Sequence, residues 1–308
     1  MKAIRKVKEV RPSVPTLEGA GVRLRRAFGF ENAPGLDPFL LLDDFHSDDP
    51  DDYLAGFPWH PHRGIETITY VLAGTVDHAD SLGNTGAIGP GDVQWMTAGR
   101  GIVHQEMPHG DPQGRMHGFQ LWANLPRAQK MTAPRYQEVA STDVTEVTDD
   151  DGTKVRVIAG EFWGRRGPVD GVAADPQFVD ITLPPNVERT IPVVRSKNVF
   201  AYVFDGDGRF RDASAPRPVV TDVVTEGGLL DDDSATPGTD VANRSLTVFD
   251  TGDEIRVRAG ERGLRFLLVS GAPIREPIAW RGPVVMNSHD ELQQAFAQLR
   301  NGTFLDIR

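Results

Sequence analysis

Short segments in which apolar and polar residues alternate dominate the chain, and helix-period patterns are scarce. Gly (32 residues) and Pro (23 residues) are spread between these segments. Successive side chains of a strand point to opposite faces, so alternation predicts half-buried strands. Many short strands separated by turns are typical of a β-sandwich or β-barrel. The clearest strand candidates are "ETITYVL", "DVQWM", "MHGFQLWANL", "KVRVIAG", "QFVDITL", "NVFAYVF" and "LRFLLVS".

One segment near the C-terminus, "SHDELQQAFAQLRNG", predicts a short helix instead. Ser288 and Glu291 have the spacing of a capping box, in which each side chain bonds the other's backbone N–H. Gly302 follows the last helical residue, where a glycine commonly ends a helix. The apolar stripe of this helix consists of Leu292, Phe296 and Leu299.

The chain divides into two β-rich halves. Residues 140–153 are polar and short of large apolar groups, so they predict a linker. We therefore expect one domain over residues 1–140, a second over 153–283 and a helical tail over 284–308. Within the second half, residues 211–245 are rich in Pro, Gly, Asp and Ser and predict a long surface insertion.

The two halves also repeat one pattern of strands and turns. "TYVLAGTVDHADS" followed by "IGPGDVQWM" parallels "AYVFDGDGRFRDA" followed by "FDTGDEIRVRAG". Each has an apolar strand, a glycine turn, a second strand and a Gly-Asp turn into a third. The repetition predicts a duplicated barrel.

Charge and cysteine content narrow the classes of function. The net charge of −11 argues against direct binding to nucleic acid or to anionic lipid. Acidic clusters are typical of solvated loops, although a salt-adapted surface would give the same pattern. Cysteine is absent, so a metal would be held by His and carboxylate ligands, and any redox response would pass through that metal. No run approaches the roughly 20 apolar residues of a membrane span, and no secretion signal is recognisable, so a cytoplasmic protein is expected.

Two pairs of potential metal ligands have strand spacing. His60 and His62 are two residues apart, and "GIVHQEM" gives His104 and Glu106 with the same spacing. Residues i and i+2 of a strand project to one face, so neighbouring strands would bring the four side chains together. Three imidazoles and a carboxylate bind a first-row divalent ion. An octahedral ion would keep two open positions, whereas a tetrahedral zinc would be closed and structural.

Each of these residues could also have a purely structural role. A lone His-x-His is common at strand entrances, and only the second pair raises the case for metal. Glu66 lies four residues beyond His62 and is expected on the same face of one continuous strand, where it could be a ligand, a partner of a ligand or a charge at the barrel rim. His78 and His109 lie in turn-rich segments and are expected to be exposed. His117 alternates with Phe119 and Leu121 and is expected in the core or on a pocket wall.

Several long motifs closely resemble the pirin family of the cupin superfamily. They include "HPHRGIETITYVLAGTV", "DSLGNTGAIGPGDVQWMTAGRGIVHQEMP", "HGFQLWANLP" and "REPIAWRGPVVMN". The match is dense from about Leu36 to Glu138, returns at "VRVIAGE" and from Gly271 to Phe304, and is weak across 211–245. The resemblance implies an all-β fold of two tandem cupin barrels, jelly-roll-like, with a short C-terminal helix.

The resemblance also implies a site. By motif position, the family's one iron would be held by His60, His62, His104 and Glu106, and Glu66 would not be a ligand. Fe²⁺ is the expected ion, with Mn, Ni, Co, Cu and Zn as alternatives. The second barrel has no histidine at the corresponding place, so we expect it to be metal-free.

Two roles are associated with pirins. One is quercetin 2,3-dioxygenase activity, which cleaves a flavonol with O₂ and releases CO, with Glu106 expected as both ligand and base. The other is a non-catalytic, metal-dependent regulator that binds a protein partner. A monomer is expected in either case. Residues that could shape a substrate pocket, or equally belong to the core, are Phe57, Trp59, Trp95, Met96, Phe119 and Gln120.

Overall fold

The computed structural model describes residues 2–30, 35–211 and 240–306. Within these ranges the chain forms 24 strands, one α-helix and two short 3-10 helices, Pro50–Asp52 and Arg127–Gln129, which confirms the predicted all-β fold. The predicted insertion at 211–245 falls mostly outside the described residues. No helix in the described ranges has the length and apolar character needed to cross a bilayer.

The N-terminal barrel is built from two antiparallel sheets. The larger has the order β12-β9-β6-β11-β4-β3-β2 and the smaller the order β5-β10-β7-β8. Its strands are β2 (Val14–Glu18), β3 (Val22–Phe28), β4 (Phe39–Ser47), β5 (Phe57–His62), β6 (Ile65–Ala73), β7 (Thr75–Asp80), β8 (Thr85–Ile88), β9 (Val93–Thr97), β10 (Ile102–His109), β11 (Met116–Asn124) and β12 (Arg135–Val139).

The C-terminal barrel is one continuous antiparallel sheet of order β1-β21-β19-β22-β17-β14-β13, with β18 on β22 and β20 on β19. Its long strands bend through bulges, which lets a single sheet close on itself. Its strands are β1 (Val7–Pro12), β13 (Thr145–Thr148), β14 (Lys154–Ala159), β17 (Gln177–Leu183), β18 (Glu188–Pro192), β19 (Asn198–Arg211), β20 (Asp240–Val241), β21 (Ser245–Phe249) and β22 (Glu254–Gly271).

Several segments cross the bounds expected between the domains. Strand β1, from the first residues, pairs with β21 of the C-terminal barrel. Strand β13 lies inside the expected linker and pairs with β14. Two hairpins complete the strands, β15 (Glu161–Phe162) with β16 (Arg165–Arg166), and β23 (Ala279–Arg281) with β24 (Val284–Met286). The division into independently folding units therefore stays a prediction.

The barrels meet through a shared core of large apolar side chains from both halves. Aromatic rings pack edge to face across it, as in the pair Phe28 and Phe200, whose centroids are 5.2 Å apart. Two tyrosines cross the junction in opposite directions. Tyr70 of the first barrel donates to Asp180 of the second at 2.7 Å, and Tyr202 of the second donates to Asp44 of the first at 2.8 Å.

The C-terminal helix α1 (His289–Asn301) begins and ends as predicted. Ser288 and Glu291 form the capping box, and Gly302 ends the helix in the left-handed conformation. The helix packs on β23, β24 and the ring of Phe304. The chain thereby returns from the second barrel to the first, where Val284 forms a β-bridge with Arg63 just after β5.

Candidate metal centre

Strand pairing brings the two histidine-containing segments together. In the antiparallel pair β5–β10, His104 lies directly opposite His60, and His62 lies opposite Ile102. The register shifts between His104 and Glu106, so the local ladder carries a bulge. Bulges redirect side chains and are common beside functional sites. The predicted convergence of the two pairs therefore follows from the register of this one ladder.

The three imidazole rings each bring one nitrogen close to the same point. One ring nitrogen from each of His60, His62 and His104 lies within 4.8 Å of those of the other two. The Nε2 atoms of His60 and His62 are 3.1 Å apart. The Nδ1 atom of His60 contacts the carbonyl of Pro58 at 2.9 Å, and that of His62 contacts the carbonyl of Pro283 at 3.3 Å.

These contacts fit a divalent cation. A carbonyl only accepts, so both Nδ1 atoms carry the proton and both Nε2 atoms present lone pairs. Two lone pairs facing each other at 3.1 Å repel unless a positive charge lies between them. Nitrogen ligands about 2.1 Å from one ion and at about a right angle are about 3.0 Å apart. His104 is buried, and neither of its ring nitrogens has a hydrogen-bond partner in the described residues.

The electrostatics of the site keep two of the imidazoles, those of His62 and His104, neutral. Burial is the main cause that lowers the pKa of His104 to about 4. Glu106 acts in the opposite direction, and the imidazoles of His60 and His78 add to the lowering. Burial, reinforced by His104 and His60, holds the pKa of His62 well below its usual range. Neutral imidazoles are the form that binds metal, so the site is ready to accept an ion near neutral pH.

Glu106 lies at the edge of the histidine cluster, with an oxygen 3.9 Å from Nε2 of His104. Gln120 donates through Nε2 to both carboxylate oxygens, at 3.0 and 3.2 Å, and Thr69 donates to one of them at 3.1 Å. Gln120 and Thr69 are directly opposite each other on β11 and β6. The carboxylate is therefore held by a polar row on the inner face of the larger sheet.

A cavity of about 580 Å³ opens beside the cluster and is lined by His60, His62 and Glu106. Its walls are mainly apolar, from residues such as Leu24, Leu41, Phe45, Val76 and Trp122. A cluster of three charged residues, Arg26, Asp43 and Glu18, interrupts the apolar walls. Arg26 forms two hydrogen bonds to Asp43, at 2.8 and 2.7 Å, and an ion pair with Glu18. Burial raises the pKa of Asp43 to about 6, although the bonds from Arg26 act in the opposite direction.

The structure separates the six residues considered for a substrate pocket. Phe57 and Gln120 line the cavity. Trp95, Met96 and Phe119 are fully buried and do not line it, because Trp95 and Phe119 face the core between the barrels and Met96 packs in a separate apolar cluster. Trp59 is 54% exposed, on the outer face of β5. Strand alternation in β5 places Trp59 opposite in direction to His60.

Two expectations about other residues were wrong. His78 is buried, because it alternates with Val76 on the inward face of β7, and its Nε2 lies 2.9 Å from Glu138. Glu66 does not share a continuous strand with His62, because β5 ends at His62 and the chain turns at Gly64, whose φ is +77°. The Glu66 carboxylate instead accepts from Thr97 at 2.8 Å. His109 is half exposed, as expected.

A second group of potential ligands, Asp44, His46 and His117, lies where the barrels meet. The rings of His46 and His117 stack at 4.1 Å with only 11° between their planes, and Arg244 contacts Nδ1 of His46 at 3.4 Å. The in-plane lone pairs of two parallel rings point in parallel directions and do not converge on one ion. The guanidinium of Arg244 also lies against Nδ1 of His46. This group therefore resembles a junction between the barrels more than a metal site.

Three residues near the site lie in the quoted motifs, but nothing in the sequence assigned them to the site. Thr69 is one of many threonines in strands, and only its position opposite Gln120 reveals its bond to Glu106. Pro283 and Trp280 reach the site from more than 200 residues away along the chain.

Comparison with known proteins identifies the family. The Pirin family profile matches residues 21–123, and the profile of the Pirin C-terminal cupin domain matches residues 178–305. A pirin-like protein of Caulobacter vibrioides is 42% identical over 302 residues, covering 98% of this chain and 99% of the relative. The chain is a member of the pirin family.

Two further relatives bear on the chemistry of this pirin. A Pseudomonas aeruginosa protein named as a candidate quercetin 2,3-dioxygenase is 39% identical over 306 residues, covering 98% of this chain and 99% of that protein. The crystal structure of quercetin 2,3-dioxygenase from Acinetobacter baumannii matches with a TM-score of 0.83 at 29% identity, covering 98% of this chain and 99% of that one. The two-barrel fold and the relatives' names agree with the resemblance found in the sequence.

Proposed function

We propose that this pirin binds one divalent metal ion, with Fe²⁺ as the expected ion, through His60, His62, His104 and Glu106. We further propose that it uses the ion as a quercetin 2,3-dioxygenase. The observation that carries the proposal is the pair of opposed Nε2 lone pairs, 3.1 Å apart, at the wall of a cavity. Names given to similar proteins support the same reaction.

The protein's own residues supply three functions. The histidines present neutral nitrogen donors, and a bound divalent ion acts as a Lewis acid that lowers the pKa of a coordinated hydroxyl group. Glu106, as the one carboxylate among the four proposed ligands, would accept the proton of a substrate hydroxyl. Gln120 bonds both oxygens of Glu106, which keeps the carboxylate aimed into the cavity.

The cavity suits an aromatic substrate of flavonol size. Its volume of about 580 Å³ lies within the range of small-molecule sites. Apolar walls remove water from the rings of such a substrate. The polar row of Thr69, Gln120 and Asp43 lies on one side and can bond hydroxyl groups of the substrate.

A CO assay tests the proposal. Metal-free protein is loaded with Fe²⁺ under argon and mixed with quercetin, and air is then admitted while CO is measured. We expect CO release from the wild type and at least a 100-fold lower rate from Glu106→Gln, since general-base catalysis contributes about 10²–10⁴-fold. The matched control is Glu138→Gln, which changes a carboxylate that is 58% exposed and outside the cavity.

Two outcomes would overturn the proposal at different levels. Undiminished turnover by Glu106→Gln would remove the role of Glu106 as base. No CO with Fe, Mn, Ni, Co, Cu or Zn, despite bound metal, would remove the reaction and leave the metal-dependent regulator as the remaining role.

A further inference from the structure

We infer that the C-terminal segment, residues 276–304, is part of the metal centre of the N-terminal barrel and that it positions His62 for metal binding. This inference rests on the proposed metal-binding function. The segment follows the whole second barrel in the chain, yet its hairpin β23–β24 forms one wall of the cavity through Trp280, Gly282 and Pro283.

The contact that positions His62 is a backbone carbonyl. The Pro283 oxygen lies 3.3 Å from Nδ1 of His62 and also accepts from the backbone N–H of Arg63 at 3.4 Å. A carbonyl at Nδ1 fixes the proton there and leaves Nε2 free for a metal. Partners of this kind orient metal-binding histidines, and their loss typically lowers metal affinity about 10–100-fold.

The two chain segments are joined over several residues. Val285 donates to the carbonyl of Arg63 at 3.0 Å. The Nζ atom of Lys130, buried between them, donates to the carbonyls of Gly64 and Val285 at 2.9 and 3.0 Å. A Cβ atom added at Gly64 would lie 1.9 Å from the Val285 oxygen, so this close approach requires glycine.

Arg63 anchors the far end of the segment. Its buried guanidinium donates to Oε1 of Gln298 at 2.6 Å and to the carbonyl of Phe304 at 2.8 Å. It also lies 3.9 Å from the centroid of the Phe304 ring. The residue next to a proposed ligand therefore binds both α1 and the chain beyond it, which ties the position of His62 to the C-terminal segment.

Gly282 lines the cavity wall, and changing it offers a way to move the Pro283 carbonyl while leaving all four proposed ligands in place. Its φ of +52° favours glycine, and a Cβ atom there would meet nothing within 4 Å. Gly282→Val therefore disfavours the turn without a clash, because β-branched residues rarely adopt a positive φ. Gly282→Asn is the milder variant, since asparagine tolerates this conformation better. Gly164→Val is the matched control, because Gly164 has a φ of +69° and equally open surroundings in the second barrel.

The first experiment measures the dissociation constant for Ni²⁺ by competition with a chromogenic chelator. We expect Gly282→Val to bind at least 10-fold more weakly than the wild type, Gly282→Asn to lie between them, and Gly164→Val to match the wild type. Equal affinities of the wild type and Gly282→Val would overturn the inference alone. A wild-type chain that binds no Ni²⁺, Fe²⁺ or other divalent ion would overturn both the inference and the proposed function.

The second experiment uses the wild type and does not depend on the folding of a variant. Coupling between two sites is reciprocal, so metal binding at His62 should stabilise the segment. We expect Ni²⁺ to slow hydrogen exchange of the Val285 amide at least 10-fold, with no change for amides of β14 in the second barrel. Unchanged exchange of the amides of residues 284–286 in metal-saturated protein would contradict the inference.

Discussion

The two barrels use the same strand pairing, but the paired positions carry polar side chains in the first barrel and apolar side chains in the second. In the first barrel, His60 of β5 lies opposite His104 of β10. In the second, Ile191 of β18 lies opposite Ile255 of β22. The two β5-like segments even share a proline after the paired residue, in "HPH" and "IPV".

Glu106 of the first barrel also has an equivalent position in the second barrel, which can be found by counting along the chain from two matching tyrosines. Tyr70 and Tyr202 are the junction tyrosines, and the residues eight positions later are His78 and Phe210. His78 lies opposite Glu106, and Phe210 lies opposite Val257. The second barrel therefore has four apolar side chains at the positions of the proposed ligands, Ile191, Val193, Ile255 and Val257.

The comparison shows that the barrel fold does not need the polar cluster. Ile191, Ile255 and Val257 are fully buried in one apolar core, which stabilises the second barrel directly. The first barrel places three imidazoles and a carboxylate at the equivalent positions, beside a cavity. Its stability must therefore come from the rest of the barrel, whereas the proposed metal chemistry depends on those four positions.

Exchanging one pair of equivalent side chains, Glu106 and Val257, between the barrels should give the largest change in the free energy of unfolding. Val257→Glu places a carboxylate at a fully buried position among apolar groups, which we expect to lower the free energy of unfolding by about 4 kcal/mol. The reverse change, Glu106→Val, should cost the metal-free protein less than about 1 kcal/mol, because Gln120 can bond water in the cavity. Urea unfolding measures both. Equal losses would show that the two positions are not equivalent in the way described.

Acid should destabilise the first barrel through His104. The pKa of His104 is about 4 in the folded chain, against an ordinary value of 6.5. Below pH 6.5 the unfolded chain binds a proton that the folded chain does not, so stability falls as the pH drops from about 6.5 to 4. The loss at this one residue is about 3 kcal/mol. We expect metal-free His104→Leu to lack that part of the acid dependence in urea unfolding; an unchanged pH profile would contradict the assignment.

The junction tyrosines should differ although their arrangement is reciprocal. Tyr202→Phe removes the donor to Asp44, which we expect to cost about 2 kcal/mol. Tyr70→Phe should cost about 1 kcal/mol, because Asp180 keeps two hydrogen bonds from Arg265. Thermal unfolding of the two variants checks this order. A larger loss for Tyr70→Phe would show that the two bonds from Arg265 do not compensate Asp180 for the lost tyrosine hydroxyl.

Local patterns predicted much of this molecule. Alternation located the strands, the capping box located α1, and i, i+2 spacing selected the four proposed ligands. These features depend on neighbours in sequence. The remaining features depend on register and on long-range contacts: the burial of His78, the turn at Gly64 that removes Glu66 from the site, and the Pro283 carbonyl 221 residues from His62.

The metal content per chain tests the central claim most directly. Protein freed of metal with a chelator is loaded with excess Fe²⁺ under argon, desalted and analysed for iron. We predict one iron per wild-type chain, none in His62→Ala, and one in His109→Asn, whose exposed imidazole lies on the same strand as His104. Two irons per chain, or one iron retained by His62→Ala, would contradict a single site in the first barrel.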